Sequence, residues 1–162
     1  MTKFALTEKS SIYRWNFPLP EGTIVYLDDN GCLHNDSGPA IVYPGGKTNW
    51  FVHGECHREG GPAIECPLGD NEWWYKDICI ADHTGIMYAN FEEFYGVRVP
   101  VIELQKFVIR NRPDLIKDLF LYYELQEYIC RERPDLVGKI RDLNPDLKAK
   151  YRHELELAGV DL

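Results

Sequence analysis

No stretch of the 162 residues approaches the roughly 18 consecutive apolar positions that a membrane helix needs. The opening Met1-Thr2-Lys3-Phe4-Ala5-Leu6-Thr7-Glu8-Lys9 lacks the apolar core of a signal peptide. Glycine-rich nucleotide signatures, a phosphate loop and Gly-x-Ser-x-Gly are also missing, so no cofactor and no catalytic residue announces itself by motif. Positive charge is scarce. Eighteen Lys and Arg against 26 Asp and Glu leave a net charge of −8, which disfavours nucleic-acid phosphate and anionic membranes as direct partners. The cysteines number five and none sits in a C-x-x-C pair. An odd count without a secretory leader argues against a disulfide framework and for reduced thiols in a cytoplasmic chain.

What is present is a folding composition: 44% hydrophobic, 13% aromatic and 27% charged residues, enough to bury a core. Its most informative feature is an internal repeat over residues 22–85. Leu33-His34-Asn35-Asp36-Ser37-Gly38-Pro39-Ala40-Ile41 returns 23 positions later as Cys56-His57-Arg58-Glu59-Gly60-Gly61-Pro62-Ala63-Ile64. The same offset carries Gly31 to Gly54, Trp50 to Trp73 and Cys56 to Cys79. A decayed third copy ends in Asp82-His83-Thr84-Gly85-Ile86 without Pro-Ala, as a terminal copy would.

The repeat reads as consecutive β-hairpins. Asn30-Gly31 and His53-Gly54 are candidate two-residue turns, because glycine accepts the positive φ such turns demand. Ala40–Tyr43 and Asn49–Val52 are rich in β-branched and aromatic residues and are separated by Pro44-Gly45-Gly46. Each Gly-Pro breaks one strand before the next begins. The expectation is an antiparallel meander over about residues 22–88.

Past residue 91 the period becomes helical. Pro100, Pro113, Pro134 and Pro145 each precede an apolar-periodic run, and three of them read Pro-Asp-Leu. Within 113–131, Leu115, Leu119, Tyr122 and Ile129 form one stripe and Ile116, Phe120 and Tyr123 an adjoining one, the pattern of a helix packed on two sides. Arg131-Glu132-Arg133 reads as a tight connection between antiparallel helices, Asn144 as a cap and Gly159 as a stop. The fold class is therefore α+β: a hairpin-repeat domain over residues 1–90, then a domain of three or four short helices over 91–162 packed on it. The first domain is the acidic one, with 6 basic against 12 acidic side chains, compared with 12 against 14 in the second.

Trp50-Phe51-Val52-His53-Gly54 followed by Cys56-His57-Arg58-Glu59-Gly60-Gly61-Pro62-Ala63 resembles a MORN-like repeat, in which a Trp-Tyr-x-Asn-Gly turn leads into His-Arg-x-Asp-Gly-Pro-Ala. The first copy departs from the pattern at Leu27-Asp28-Asp29, where the aromatic run should stand. Repeats of this type are similar to those of phage and bacterial proteins of unassigned role. The resemblance implies a hairpin sheet used for binding, and so a protein partner, but it reaches only the first half.

Zinc is the sharpest chemical alternative, since Cys32, His34, His53, Cys56, His57, Cys79 and His83 crowd one segment. The register counts against it. Cys56 and Cys79 share a position that the first copy fills with Leu33, a mark of a small apolar core site. His34 and His57 also share a repeat position. A catalytic imidazole has no reason to occur twice, so both read as fixing the corners at Gly38-Pro39 and Gly61-Pro62. A small enzyme built on them is the competing view.

Trp50, Phe51, Trp73, Trp74 and Tyr75 are the partner-binding candidates, because alternation along a strand cannot send adjacent tryptophans to the same face. Asp28 and Asp29 join them on the acidic surface. A carbohydrate module on Trp50, Trp73 and Trp74 is a weaker alternative. Cys130 and the pairs Asp28-Asp29 and Glu92-Glu93 read as packing and solvation. Open repeat edges leave room for self-association.

Overall fold

A computed structural model describes residues 1–5, 10–11, 18–85, 101–119, 121 and 123–161. Ile86, Glu92, Glu93, Pro100, Phe120 and Tyr122 lie outside the described residues. The fold is α+β and divides into two compact units, Met1–Ala89 and Asn90–Leu162.

Among the described residues of the first unit every strand pairing is antiparallel, and seven strands make the main sheet in the order β1 (Thr2–Ala5), β4 (Ile24–Leu27), β5 (Ile41–Val42), β6 (Thr48–Asn49), β9 (Ile64–Glu65), β10 (Glu72–Tyr75) and β11 (Ile78–Asp82). Two smaller pairs are separate from it, β2 (Ser10–Ser11) with β3 (Pro18–Leu19) and β7 (Phe51–Val52) with β8 (Glu55–Cys56). The sheet starts earlier than the repeat does, because β1 pairs along the whole of β4, from Thr2↔Leu27 to Ala5↔Ile24. It is a meander with a detour: Trp50 separates β6 from β7, and the chain makes the small β7–β8 hairpin before returning to pair β6 with β9. The core beneath consists of Leu19, Val25, Leu33, Ala40, Ile41, Phe51, Cys56 and Ala63.

Turn chemistry differs among the three copies. His53-Gly54 is a two-residue turn, with φ of 48° and 85°, closing Phe51↔Cys56 and Val52↔Glu55. Asn30-Gly31 is not: the loop holds three residues, Asp29-Asn30-Gly31, with Gly31 N–H donating to the Asp28 carbonyl at 3.0 Å and Asp28 N–H to that of Cys32 at 2.8 Å. Gly31, at φ 76°, takes the left-handed position that ends a three-residue loop. The extra residue shifts the first copy by one. Leu27 bridges Leu33 as Phe51 pairs with Cys56, so Tyr26-Leu27, rather than Leu27-Asp28-Asp29, occupies the place of Trp50-Phe51. The third copy turns on Lys76-Asp77, at φ 49° and 66°, and the register shifts between Trp73 and Trp74.

The second unit contains, among its described residues, α1 (Val101–Asn111), α2 (Tyr123–Glu132), α3 (Pro145–Lys150) and α4 (Arg152–Leu157). Two 3-10 helices, Pro113–Asp118 and Pro134–Lys139, follow α1 and α2. Residues 113–131 are thus not one helix. Proline starts a short 3-10 segment that ends at Leu119, whose backbone is extended (φ −87°, ψ 142°), and α2 begins afresh at Tyr123. Arg131 and Glu132 close α2 rather than forming a connection. Asn144 caps α3 by accepting from Asp146 N–H at 2.9 Å. Gly159, at φ 75°, follows α4 in the left-handed conformation of a helix stop. Ile109, Ile116, Leu125, Ile129, Cys130, Leu136, Val137, Leu147 and Leu155 make the core.

This half carries a repeat of its own. Arg112-Pro113-Asp114-Leu115 recurs 21 residues on as Arg133-Pro134-Asp135-Leu136. Each arginine clamps the aspartate two residues ahead through two hydrogen bonds, Nε and Nη2 to the two carboxylate oxygens, at 3.0 and 2.7 Å for Arg112 and 2.9 and 2.8 Å for Arg133. The aspartates therefore answer to a side chain as well as to a helix dipole.

Candidate functional site

The hairpins are stitched tip to flank. Gly54 N–H donates to the Leu33 carbonyl at 2.8 Å, and one copy later Asp77 N–H donates to the Cys56 carbonyl at 3.0 Å. The Gly-Pro corner repeats as well. Asn35 Nδ2 donates to the Pro39 carbonyl and Arg58 Nη1 to the Pro62 carbonyl, each at 3.0 Å, so unlike side chains make one bond. That crossing explains the glycines: a Cβ at Gly38 would stand 3.3 Å from Asn35 Nδ2, and one at Gly61 would stand 3.0 Å from Arg58 Cζ. Ala40 and Ala63 are fully buried behind the corner.

His34 and His57 occupy one sequence position and two environments. His34, 8% exposed, approaches Asp36 Oδ1 through Nε2 at 2.9 Å, and its Nδ1 accepts from His53 N–H at 3.3 Å. Its ring stacks on that of His53, with centroids 4.1 Å apart and 12° between planes. His57 is half-buried and meets the edge of Tyr75 at 5.0 Å. Burial is the largest influence on it and holds its pKa below the usual imidazole value.

The sequence reading placed His53 in a turn and among possible zinc ligands but missed its pairing with Asp28. Its Nδ1 lies 2.8 Å from Asp28 Oδ2, while Asp28 Oδ1 accepts from the backbone N–H of Asn30 and of Cys32, each at 2.9 Å. The bond to His53 leads the causes that hold the Asp28 carboxyl below its ordinary pKa, followed by the Cys32 N–H. Only 10% of the Asp28 side chain is exposed, whereas that of Asp29 is 92% exposed. The adjacent aspartates thus separate into one spent within the fold and one facing water.

The aromatic candidates separate too. Phe51 is buried in the core. Trp50, Trp73, Trp74 and Tyr75 are half-buried. Arg58 lies 3.8 Å over the Trp50 ring and pairs with Glu65 at 2.9 Å, while Glu65 also accepts from Trp50 Nε1 at 3.3 Å and Thr48 Oγ1 at 3.2 Å. Trp74 Nε1 donates to Glu72 at 2.7 Å.

All five cysteines are free thiols, with Cys56 and Cys130 buried. Burial first, then neighbouring carboxylates, pushes the Cys56 thiol far up and that of Cys79 up to about 12. Among the described residues, no three His, Cys, Asp or Glu side chains gather to hold a metal ion. No described helix is long and apolar enough to cross a membrane. Comparison with protein-family models, with curated proteins and with solved structures finds no match to the chain.

Proposed function

We propose that the hairpin-repeat unit is a non-enzymatic protein-binding module whose partner is basic. The observation that carries this reading is the aromatic set on consecutive hairpins. Trp50, Trp73, Trp74 and Tyr75 are each half-buried, so part of each side chain stays accessible, although Arg58 covers one face of Trp50, and Trp50 and Trp74 also pack on the core. Rings of this kind anchor protein interfaces. Acidic side chains accompany them: Glu55, Glu59 and Asp70 are exposed, and the segment holds twice as many acidic as basic residues. Complementary charge would steer a basic partner and set its approach rate. A basic nucleic-acid-handling protein presents such a surface. Together with the phage-type repeat, this makes a phage-encoded inhibitor of a host defence complex the concrete form of the proposal.

Affinity purification of the tagged chain from a bacterial host tests it. One stoichiometric basic protein, released by salt and lost in Trp73→Ala or in the pair Glu55→Lys and Glu59→Lys, is the expected result. Retention of nothing, or retention unaffected by these changes in folded protein, overturns it.

A further inference from the structure

The five histidines differ in what their ring nitrogens meet. His34 has both engaged, His57 is half-buried against Tyr75, and His83 approaches Asp70 through Nε2 at 3.7 Å. His153 is exposed on α4. His53 alone combines an aspartate on Nδ1 with a ring 67% exposed.

That combination fixes its chemistry. Asp28 already accepts two backbone N–H groups and, as a carboxylate, can only accept, so the proton of the neutral His53 ring must sit on Nδ1. The lone pair then lies on Nε2, on the far side of the ring from Asp28. Stacking on the buried His34 ring holds the imidazole in that pose. An exposed imidazole with its other nitrogen anchored by a carboxylate is the activated half of a nucleophilic dyad.

We propose that His53 is a covalent acceptor site, taking an acyl group on Nε2 from a neutral, activated ester or anhydride. This goes beyond the binding reading and does not depend on it. The Nε2 lone pair attacks the acyl carbon, the carbon–oxygen bond breaks, and the leaving oxygen departs with the electron pair and takes a proton from water. The positive charge on the acylated ring is held by Asp28 through Nδ1–H until that proton is lost to solvent. The donor is neutral because Glu55, two residues from His53, is exposed and an anionic donor would be repelled, whereas Asp29 is paired with the Met1 ammonium at 2.9 Å.

Diethyl pyrocarbonate, a neutral anhydride, is the probe, used on the intact chain near neutral pH with each histidine followed by peptide mass mapping. His53 should react at least about tenfold faster than His153, the unassisted exposed imidazole. Asp28→Asn should bring His53 down to the His153 rate, because the amide can turn its NH2 toward the ring and move the lone pair to Nδ1. Loss of folding in that variant would show as reaction of buried His34, and the nitrogen-15 shifts of His53 in the unaltered protein then decide. A proton on Nδ1 supports the site; a proton on Nε2, or equal rates for His53 and His153, overturns it.

Discussion

At the scale of single residues, Arg58 shows how one position serves three contacts. It closes the Gly-Pro corner, covers Trp50 and neutralises Glu65. In the first copy Asn35 performs only the first of these tasks. Arg58→Ala should therefore lower stability by about 2 kcal/mol, the sum of one hydrogen bond and one cation–π contact, with the partly exposed ion pair adding little. Arg58→Asn should cost only about half as much, because asparagine can make the corner bond as it does at position 35. Urea titrations of the two variants check the order. Equal losses would mean that the corner bond carries nothing. The shared repeat position of His34 and His57 was legible, but not their partners, since the two rings stand in different environments. The partner of His53 was hidden too, since Asp28 lies 25 residues away and only the stacking of the hairpins brings them together.

At the scale of elements, the hairpin tips decide how the copies join. Asp77 stands where the second copy has Gly54, and it holds a left-handed φ of 66° while its Oδ1 accepts from Cys56 N–H at 2.7 Å. Asp77→Asn should be close to neutral, because asparagine tolerates that conformation and keeps an acceptor. Asp77→Gly should cost about 1 kcal/mol for the lost bond, and Asp77→Ala about 2 kcal/mol because a methyl group also resists the left-handed backbone. Thermal melts of the three variants should rank in that order, and an alanine variant as stable as the asparagine one would refute the account. The 23-residue period was readable, because identical corners leave identical letters. The one-residue insertion in the first loop was hidden, since the offset stays at 23 from Leu33 to Ile41 and changes to 24 only along the preceding strand. In the helical half, periodicity overrode punctuation. A proline that opens a short 3-10 segment looks like one that opens a helix until the extended Leu119 is seen. The Arg-Pro-Asp-Leu recurrence was the better guide.

At the scale of the whole molecule, acid should unfold both units through their aspartates. Asp28 is held below its ordinary pKa chiefly by His53, Asp114 by Arg112 and Asp135 by Arg133. A carboxyl whose folded pKa is depressed binds its proton more readily when unfolded. Its stabilisation is complete above the unfolded value of about 3.9 and is lost as pH falls through the folded value. The net charge of −8 works the other way, because protonation first relieves repulsion. Repulsion is spread over the surface and screened by salt, whereas these aspartates touch their partners at 2.7 to 2.8 Å, so the local bonds should prevail. Unfolding free energy from urea titrations should then decline gently below about pH 6.5, where the unfolded chain protonates His57 before the folded one does, and fall more steeply below about pH 4. The pair Asp114→Asn and Asp135→Asn should lower stability at neutral pH and flatten the fall in acid, because the groups that lose their bonds on protonation have been removed. A chain that grows more stable from pH 5 to pH 3 would show that diffuse repulsion outweighs the clamps, and the paired arginines would then be ornaments of the helical repeat rather than its fastenings.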